Sequence, residues 1–510
     1  MSTIRRIDSG IGREALFDVA ATRRSERVAK SAVAPFALMA QAGDAVARLA
    51  LALAPHARQV VVHAGPGNNG GDGIEAATRL RGMGKATTVR LHGDAINLPD
   101  DAAQALRRAK EAGVAIELAP VSPGLGAEAA DLVIDALLGI GASRAPEGVI
   151  AAAIEQIATT AAAGAHVLSI DVPSGLDADR GQPFGSACVV ATDTLSLLTL
   201  KPGLFTASGR DHVGRIWLDA LDVDIDETLA TAWLVGFADR RGANDRRLQA
   251  QHKGSFGDVA VVGGAPGMAG AAILAASAAH AAGAGRVFVD LLGAGEAFAL
   301  VDPWRPELMF RKEWWRGPVE SLRASTVVCG CGGGDAVRET LPRLLSIAPR
   351  LVLDADALNA IAADSALQSL LSGRAGRSLQ TILTPHPLEA GRLLGRAATE
   401  VQADRLRIAC EMAERFAAVV VLKGSGTVIA APGERPRVNS TGNASLATAG
   451  TGDVLAGWIG GRWRTGVAAF DVATRGVVEH GAAAEPERPG ALRAGDLVET
   501  LYRQMRGTRG

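Results

Sequence analysis

At 510 residues and 48% hydrophobic, the chain is too long for one ordinary core and too apolar for wholesale disorder, so two large packed domains are expected. Its 53 basic and 54 acidic residues leave a formal net charge of −1, which gives no electrostatic reason to expect nucleic acid or a membrane as partner. Of four cysteines only Cys329 and Cys331 are close; C-x-C is not a zinc pattern, and both read as small core residues at a buried strand end.

In chain order, Met1 to Arg13 carries Arg5, Arg6, Asp8 and Arg13 without an apolar stretch, unlike a secretory signal. A cytoplasmic enzyme is the expectation. Short apolar β-type runs then alternate with Ala/Leu-rich segments. Strands are predicted at 60–63, 87–91, 132–135 and 167–170, with helices at 74–81, 101–112 and 149–158. The same grammar restarts at 258–262 and continues through 287–289, 327–329, 351–353, 382–383 and 419–422. This alternation predicts an α/β fold with parallel sheets and helices on both faces. Between the halves lie an acidic run (Asp222, Asp224, Asp226, Glu227) and a basic cluster (Arg240, Arg241, Arg246, Arg247). The boundary is placed there, giving domains 1–225 and 235–507.

The strand at 60–63 runs into Gly65-Pro66-Gly67-Asn68-Asn69-Gly70-Gly71-Asp72-Gly73, with a helix expected after it. Gly65, Gly67 and Gly70 fit G-x-G-x-x-G, a weak signal alone. The two asparagines and Asp72 sharpen it, because glycines admit a ligand to the backbone while these side chains bring oxygens to it. Two further strand ends carry carboxylates: Asp135, followed by Gly139-Ile140-Gly141-Ala142-Ser143-Arg144-Ala145, and Asp171, followed by Pro173-Ser174-Gly175. Ligands bind at such strand ends in open α/β sheets. Asn69, Asp135, Asp171 and Ser174 are hard oxygen donors suited to a cation such as K⁺, and a carboxylate there can also move a substrate proton.

These segments, with Lys201-Pro202-Gly203, resemble the NAD(P)H-hydrate epimerase family over roughly residues 10 to 220. The resemblance implies a Rossmann-like three-layer domain that interconverts the epimers of NADH and NADPH hydrated at nicotinamide C6. It implies substrate contacts at Asn68, Asn69, Gly70, Gly71 and Asp72 and at Gly139 through Ala145. Asn69, Asp135 and Ser174 are the implied K⁺ ligands. Asp171 is the implied proton-handling residue, in contact with substrate.

In the second half, Gly263-Gly264-Ala265-Pro266-Gly267 feeds an Ala-rich helix, and Gly450-Thr451-Gly452-Asp453 opens another. Free N–H groups and the positive dipole end at a helix start favour phosphate. Asp453 there is placed to take a proton from a hydroxyl that attacks phosphorus. Asp354 and Asp356, His386 between two prolines, and Lys423-Gly424-Ser425-Gly426-Thr427 stand at further strand ends, and no Walker-type P-loop is present.

This half resembles the ADP-dependent NAD(P)H-hydrate dehydratase family, of ribokinase-like α/β fold, from about residue 250 to 505. The resemblance implies phosphorylation of the C6 hydroxyl of the S-epimer by ADP, or by ATP in some members, then elimination that releases AMP and phosphate and restores NAD(P)H. Ala272, Gly332, His386 and Asp453 are the implied hydrate contacts. Lys423 to Thr427 and Gly452 are the implied nucleotide contacts, with Mg²⁺ accompanying the nucleotide. Asp453 is the implied catalytic base, and a homo-oligomer the expected state. Ala444-Ser445 and Ala449 depart from the family's Pro-Gly and Gly, which bears on nucleotide preference. The competing reading is a ribokinase-like small-molecule kinase with a non-catalytic N-terminal ligand-binding domain.

Overall fold

The computed structural model describes residues 2–119, 130–240, 249–293, 302–485, 490 and 492–507. Arg241, Arg246 and Arg247 of the expected boundary segment lie outside them. The chain divides into two compact units: Met1–Asp8 with Ala15–Trp233, and Ser9–Glu14 with Leu234–Gly510.

The first unit holds an eight-stranded sheet. Its order is Arg5–Ile7, Arg215–Asp219, Asp193–Leu197, His166–Ile170, Leu132–Ala136, Gln59–Ala64, Ala86–Leu91 and Ala115–Leu118. Neighbours are parallel except the outermost pair, Arg5–Ile7 with Arg215–Asp219. From Gln59–Ala64 the chain adds Ala86–Leu91 on one side and later Leu132–Ala136 on the other. Strand order reverses there, which opens a crevice beyond the carboxyl ends of these two central strands. Both sheet faces are covered: Val60, Val62, Leu132 and Ile134 enter one apolar cluster, Val133 and Val167 another. Double burial is why these strands read as continuous apolar runs rather than alternating ones.

The second unit repeats the principle. Met309–Phe310, Arg286–Leu291, Asp258–Gly263, Ser325–Cys329, Arg350–Leu353, Gln380–Leu383 and Val419–Leu422 pair in parallel in that order. Val428–Ala430 and Arg437–Asn439 continue the sheet antiparallel. The reversal falls between Asp258–Gly263 and Ser325–Cys329. Val327, Leu351 and Leu353 bury on one face, Val328, Val352 and Ile382 on the other. Helix Thr451–Arg462 lies almost on the backbone of helix Ala269–Ala281. A Cβ at Gly457 would stand 1.9 Å from the Ala275 carbonyl oxygen, and one at Gly461 2.3 Å from that of Ala279.

One element departs clearly from expectation. The helix predicted at 74–81 spans Asn68–Gly82, so the glycine-rich stretch is mostly helix rather than turn. Gly70, Gly71 and Gly73 have no positive φ. They serve close approach instead: Cβ atoms there would meet the Gly65 carbonyl oxygen at 2.0 Å, Met39 Cε at 2.5 Å and Ala136 Cβ at 2.5 Å. Helices Asp100–Glu111 and Gly148–Ala162 stand where expected. Among the described residues no single helix is long and apolar enough to cross a membrane.

Candidate functional sites in the two units

In the first unit, the Gly65 N–H donates to the Ala136 carbonyl at 3.0 Å, and a Cβ at Gly65 would lie 1.8 Å from the Leu137 carbonyl oxygen. This near-contact sets the start of helix Asn68–Gly82 beside the loop that follows Leu132–Ala136. A cavity of about 420 Å³ opens there, at the crevice where strand order reverses. Of the residues singled out from the sequence, Asn68, Asn69, Asp72, Gly139, Ile140, Gly141, Ala142 and Asp171 line it. Gly70 and Gly71 are buried within the helix, and Ser143, Arg144 and Ala145 are not among the lining residues.

Sequence reasoning missed one wall. Helix Val19–Ala32, capped by the Asp18 carboxylate accepting from the Ala21 N–H at 2.7 Å, contributes Thr22, Arg23, Glu26 and Lys30. The signal was its polar residues at three- and four-residue spacing, which share one helical face.

Asp171 follows the strand His166–Ile170 with φ 69°, a left-handed conformation unusual for a side-chain-bearing residue. Its N–H donates to Leu195 O at 2.7 Å, and its Oδ1 accepts from Leu197 N at 3.2 Å and pairs with the Lys201 ammonium. Lys201 is fully buried and donates also to Leu197 O at 2.8 Å and Ser196 Oγ at 3.2 Å. Asp72, in the same cavity, has no hydrogen bond or ion pair among the described residues. Burial pushes its carboxyl well above the usual range, and Asp171, Glu26 and Asp101 push it further while Lys30 opposes them.

Asp135 is completely buried and accepts from Ser174 Oγ at 2.5 Å, Ser169 Oγ at 2.8 Å, Ser174 N at 2.9 Å and Leu137 N at 3.3 Å. Burial raises its pKa against those four hydrogen bonds. All four donors are neutral, so none compensates its charge. The Asn69 amide nitrogen is buried and unpartnered.

In the second unit, Asp354 at the end of Arg350–Leu353 collects three neighbours. Lys423 Nζ lies 2.7 Å and Thr384 Oγ1 2.8 Å from its Oδ1, and Cys331 Sγ lies 4.0 Å from its Oδ2. Cys331, Asp354 and Asp453 bring one donor atom each within 4.8 Å of one another. Asp453, in the first turn of helix Thr451–Arg462, has its carboxyl pushed up to about 6 by burial and then by Asp354, against the Cys331 thiol and the Lys423 ammonium. Burial works against the Lys423 charge, yet Asp354 and Glu389 carry its pKa above the usual value. Burial raises the Cys331 thiol well above the ordinary range, aided by Asp453 and Asp354. Asp354 and Cys331 were therefore the underweighted residues, one noted only as a strand-end carboxylate, the other read as core.

The glycine-rich turn packs onto this cluster. Gly264 N donates to Cys331 O at 2.9 Å, and Ala265 N to Gly332 O at 2.6 Å. Gly332 has φ 59°, and a Cβ on Gly264 would meet that of Ala272 at 2.9 Å, so Ala272 and Gly332 flank one turn. His386 caps helix Pro387–Leu394: Nδ1 accepts from Leu388 N at 3.1 Å, and Nε2 lies 3.3 Å from Glu389 Oε1. Burial, then Lys423, lowers its pKa, so a neutral imidazole is favoured. Arg405, itself buried, holds the turn after Val419–Leu422 through Lys423 O at 3.2 Å, and Gly424 and Gly426 take φ 138° and 60°. Gly452 approaches Lys423, its Cβ position 3.4 Å from Nζ. Ser445 and Ala449, the positions expected to depart from glycine, have no positive φ; Asn443 caps the short turn by accepting from Ser445 N at 2.9 Å.

The model of the family described as NAD(P)H-hydrate dehydratase matches residues 259–502, and that of the YjeF-related protein N-terminus matches 35–203. The chain is 35% identical to the bifunctional NAD(P)H-hydrate repair enzyme Nnr of Escherichia coli (strain K12), over 94% of this chain and 92% of the relative. It is 35% identical to the same-named protein of Coxiella burnetii, over 95% and 97%. A separate ADP-dependent (S)-NAD(P)H-hydrate dehydratase of Neisseria meningitidis is 42% identical, over 49% of this chain and 84% of its own. A crystal structure of the ADP/ATP-dependent NAD(P)H-hydrate dehydratase from Bacillus subtilis, co-crystallised with ATP/Mg²⁺, aligns at 29% identity and TM-score 0.45, over 53% of this chain and 96% of that one. With relatives this similar along nearly its whole length, and a family model on each half, the chain belongs to the family of bifunctional NAD(P)H-hydrate repair enzymes.

Proposed function

We propose that the first unit epimerises R- and S-NADHX and NADPHX at nicotinamide C6 and that the second dehydrates the S-epimer to NAD(P)H, using ADP or ATP with Mg²⁺. The observation that carries this reading is that each unit sets its own aspartate beside a lysine at the carboxyl ends of its strands: Asp171 pairs with the buried Lys201 on the cavity wall, and Asp453 stands with Asp354 and Lys423. Two sites on one chain then serve one substrate pool, because a dehydratase selective for one epimer leaves the other to be converted.

In the first unit the substrate lies against Asn68 to Asp72 and the loop at 139–145, with Asp171 handling the proton. K⁺ suits Asn69, Asp135 and Ser174: the oxygens are hard donors, and the Asp135 charge lacks a cationic partner. When bound, the ion supplies fixed positive charge beside the loop that contacts substrate.

In the second unit Ala272, Gly332, His386 and Asp453 hold the hydrate, and Lys423 to Thr427 with Gly452 hold the adenine nucleotide. Asp453 takes the proton of the C6 hydroxyl as that oxygen attacks the terminal phosphorus. The first-turn N–H groups of helix Thr451–Arg462 face the phosphoryl oxygens, where developing charge is greatest. Mg²⁺ accompanies the nucleotide and neutralises phosphate charge. The ribokinase-like kinase reading has no specific observation in its favour.

The test incubates purified protein with mixed NADHX epimers, Mg²⁺, K⁺ and either ADP or ATP, and follows reduced-nicotinamide absorbance. Complete nucleotide-dependent recovery is expected. Recovery that stops once the S-epimer is used up removes the epimerase half, and no recovery with either nucleotide removes the dehydratase half. The expected soluble cytoplasmic setting and self-association are checked by fractionation and by sedimentation.

A further inference from the structure

The cavity of the first unit holds two carboxyl groups in opposite surroundings. Asp171 carries the buried Lys201 ammonium on its Oδ1 and a backbone N–H as well. Asp72 has no partner among the described residues, although it lines the same cavity. Two carboxyl groups on one small cavity, only one of them ion-paired, divide naturally into a proton acceptor and a proton donor. We infer that Asp72 is a second catalytic residue of the epimerase, the acid that works opposite Asp171 as base, with Lys201 as the positioning residue that assigns the two roles. This rests on the epimerase reading and deepens it.

C6 of the hydrate bears a hydroxyl and the ring nitrogen N1, so it is a carbinolamine carbon. The Asp171 carboxylate takes the hydroxyl proton, the C6–O bond becomes a carbonyl, and the C6–N1 bond breaks. Its electron pair stays on N1, which takes the proton of the Asp72 carboxyl. Rotation about C5–C6 turns the other carbonyl face to N1. Reclosure returns one proton to Asp72 and one to the new hydroxyl, so nothing is consumed and no co-reactant is needed.

The surroundings of Asp72 support the donor role. The charged groups facing it are Asp171 from the loop after His166–Ile170, Glu26 and Lys30 from helix Val19–Ala32, and Asp101 from helix Asp100–Glu111. Three of the four are acidic, and with burial they favour the protonated form. An acid must be protonated to donate, so the epimerisation rate falls as pH rises through the elevated Asp72 pKa.

The experiment uses the full chain without nucleotide, starting from pure R-NADHX and resolving the epimers chromatographically across pH. Wild-type conversion above the spontaneous rate upholds the epimerase reading by itself, whatever the variants do, and its absence overturns that reading and this inference with it. Asp72→Asn is expected to lower kcat by about 100-fold or more with KM little changed, and to abolish the alkaline limb of the pH profile. Asp72→Glu is expected to restore part of the rate and the limb. Asp72→Asn should melt no lower than wild type, since it removes a half-buried carboxyl with no ion-pair partner among the described residues; a lower melting point alone would oppose the assigned surroundings. A rise in KM with kcat and the alkaline limb intact would make Asp72 a binding residue only and overturn the inference. Lys201→Met should lower kcat without removing the alkaline limb; if it removes the limb, Lys201 itself is the acid and the role assigned to Asp72 falls.

Discussion

Lys423 and Asp354 form an ion pair of 2.7 Å at the carboxyl end of the second sheet, Asp354 almost wholly buried and Glu389 3.9 Å from the same ammonium. Such a pair is costly to break from one side, because the survivor is a buried charge without compensation. Lys423→Met should therefore destabilise the second unit by about 3–5 kcal/mol. Lys423→Met combined with Asp354→Leu should recover much of that loss. Urea unfolding of the three proteins decides it; a double variant no more stable than Lys423→Met would mean that the pair is not the source of the cost.

Asp453 predicts a pH profile. Its carboxyl is pushed from 3.8 to about 6, and as a base it acts only when deprotonated. Nucleotide-dependent dehydration should rise about tenfold per pH unit below about 6 and level off above. Asp354 is the largest charge raising that pKa, so Asp354→Asn should move the limb to lower pH. Stability runs the other way: the folded pKa lies above the unfolded one, so the contribution of protonated Asp453 is full below about 4 and lost as pH rises through about 6. A limb that stays put in Asp354→Asn would separate the two carboxylates.

The parallel strands were legible because both their faces are buried and their apolar runs are unbroken, as at Val419–Leu422. The strand-end aspartates were legible by position, since Asp135, Asp171 and Asp354 each directly follow or end such a run. What sequence could not supply was partnership. Nothing local to Lys423 says that it meets a carboxylate 69 positions earlier, and nothing near Asp72 says that it shares a cavity with Asp171. The start of helix Asn68–Gly82 was misread for a related reason. Glycine signals both conformational freedom and close packing, and only the contacts of Gly70, Gly71 and Gly73 distinguish them.

That distinction can be measured at two neighbouring glycines. A Cβ at Gly65 would overlap the Leu137 carbonyl at 1.8 Å, whereas one at Gly67, φ −105°, meets nothing within 4 Å. Gly65→Ala should cost roughly 3 kcal/mol or more, because backbone must move, and Gly67→Ala should stay within about 0.5 kcal/mol. Thermal denaturation of the two variants compares them directly. Equal melting points would mean that the Gly65 turn can shift freely away from Leu137, and the cavity wall with it.

Potassium offers a test on stability alone, apart from turnover. Asp135 is a buried carboxylate whose four hydrogen-bond donors are all neutral, so a cation bound beside it stabilises the folded form by mass action. At a concentration one hundred times its dissociation constant that gain is about 2.7 kcal/mol. The melting point of the first unit should therefore rise in KCl relative to the same ionic strength of choline chloride, and NaCl should give less if the cage fits the larger ion. Asp135→Asn removes the charge but keeps the shape, so its melting point should no longer depend on K⁺. Ser174→Ala should weaken the dependence, because it deletes one proposed ligand and the 2.5 Å hydrogen bond that orients another. A K⁺ effect of the same size in Asp135→Asn would place the ion elsewhere, and the absence of any effect in the wild type would leave Asp135 held by its hydrogen bonds alone.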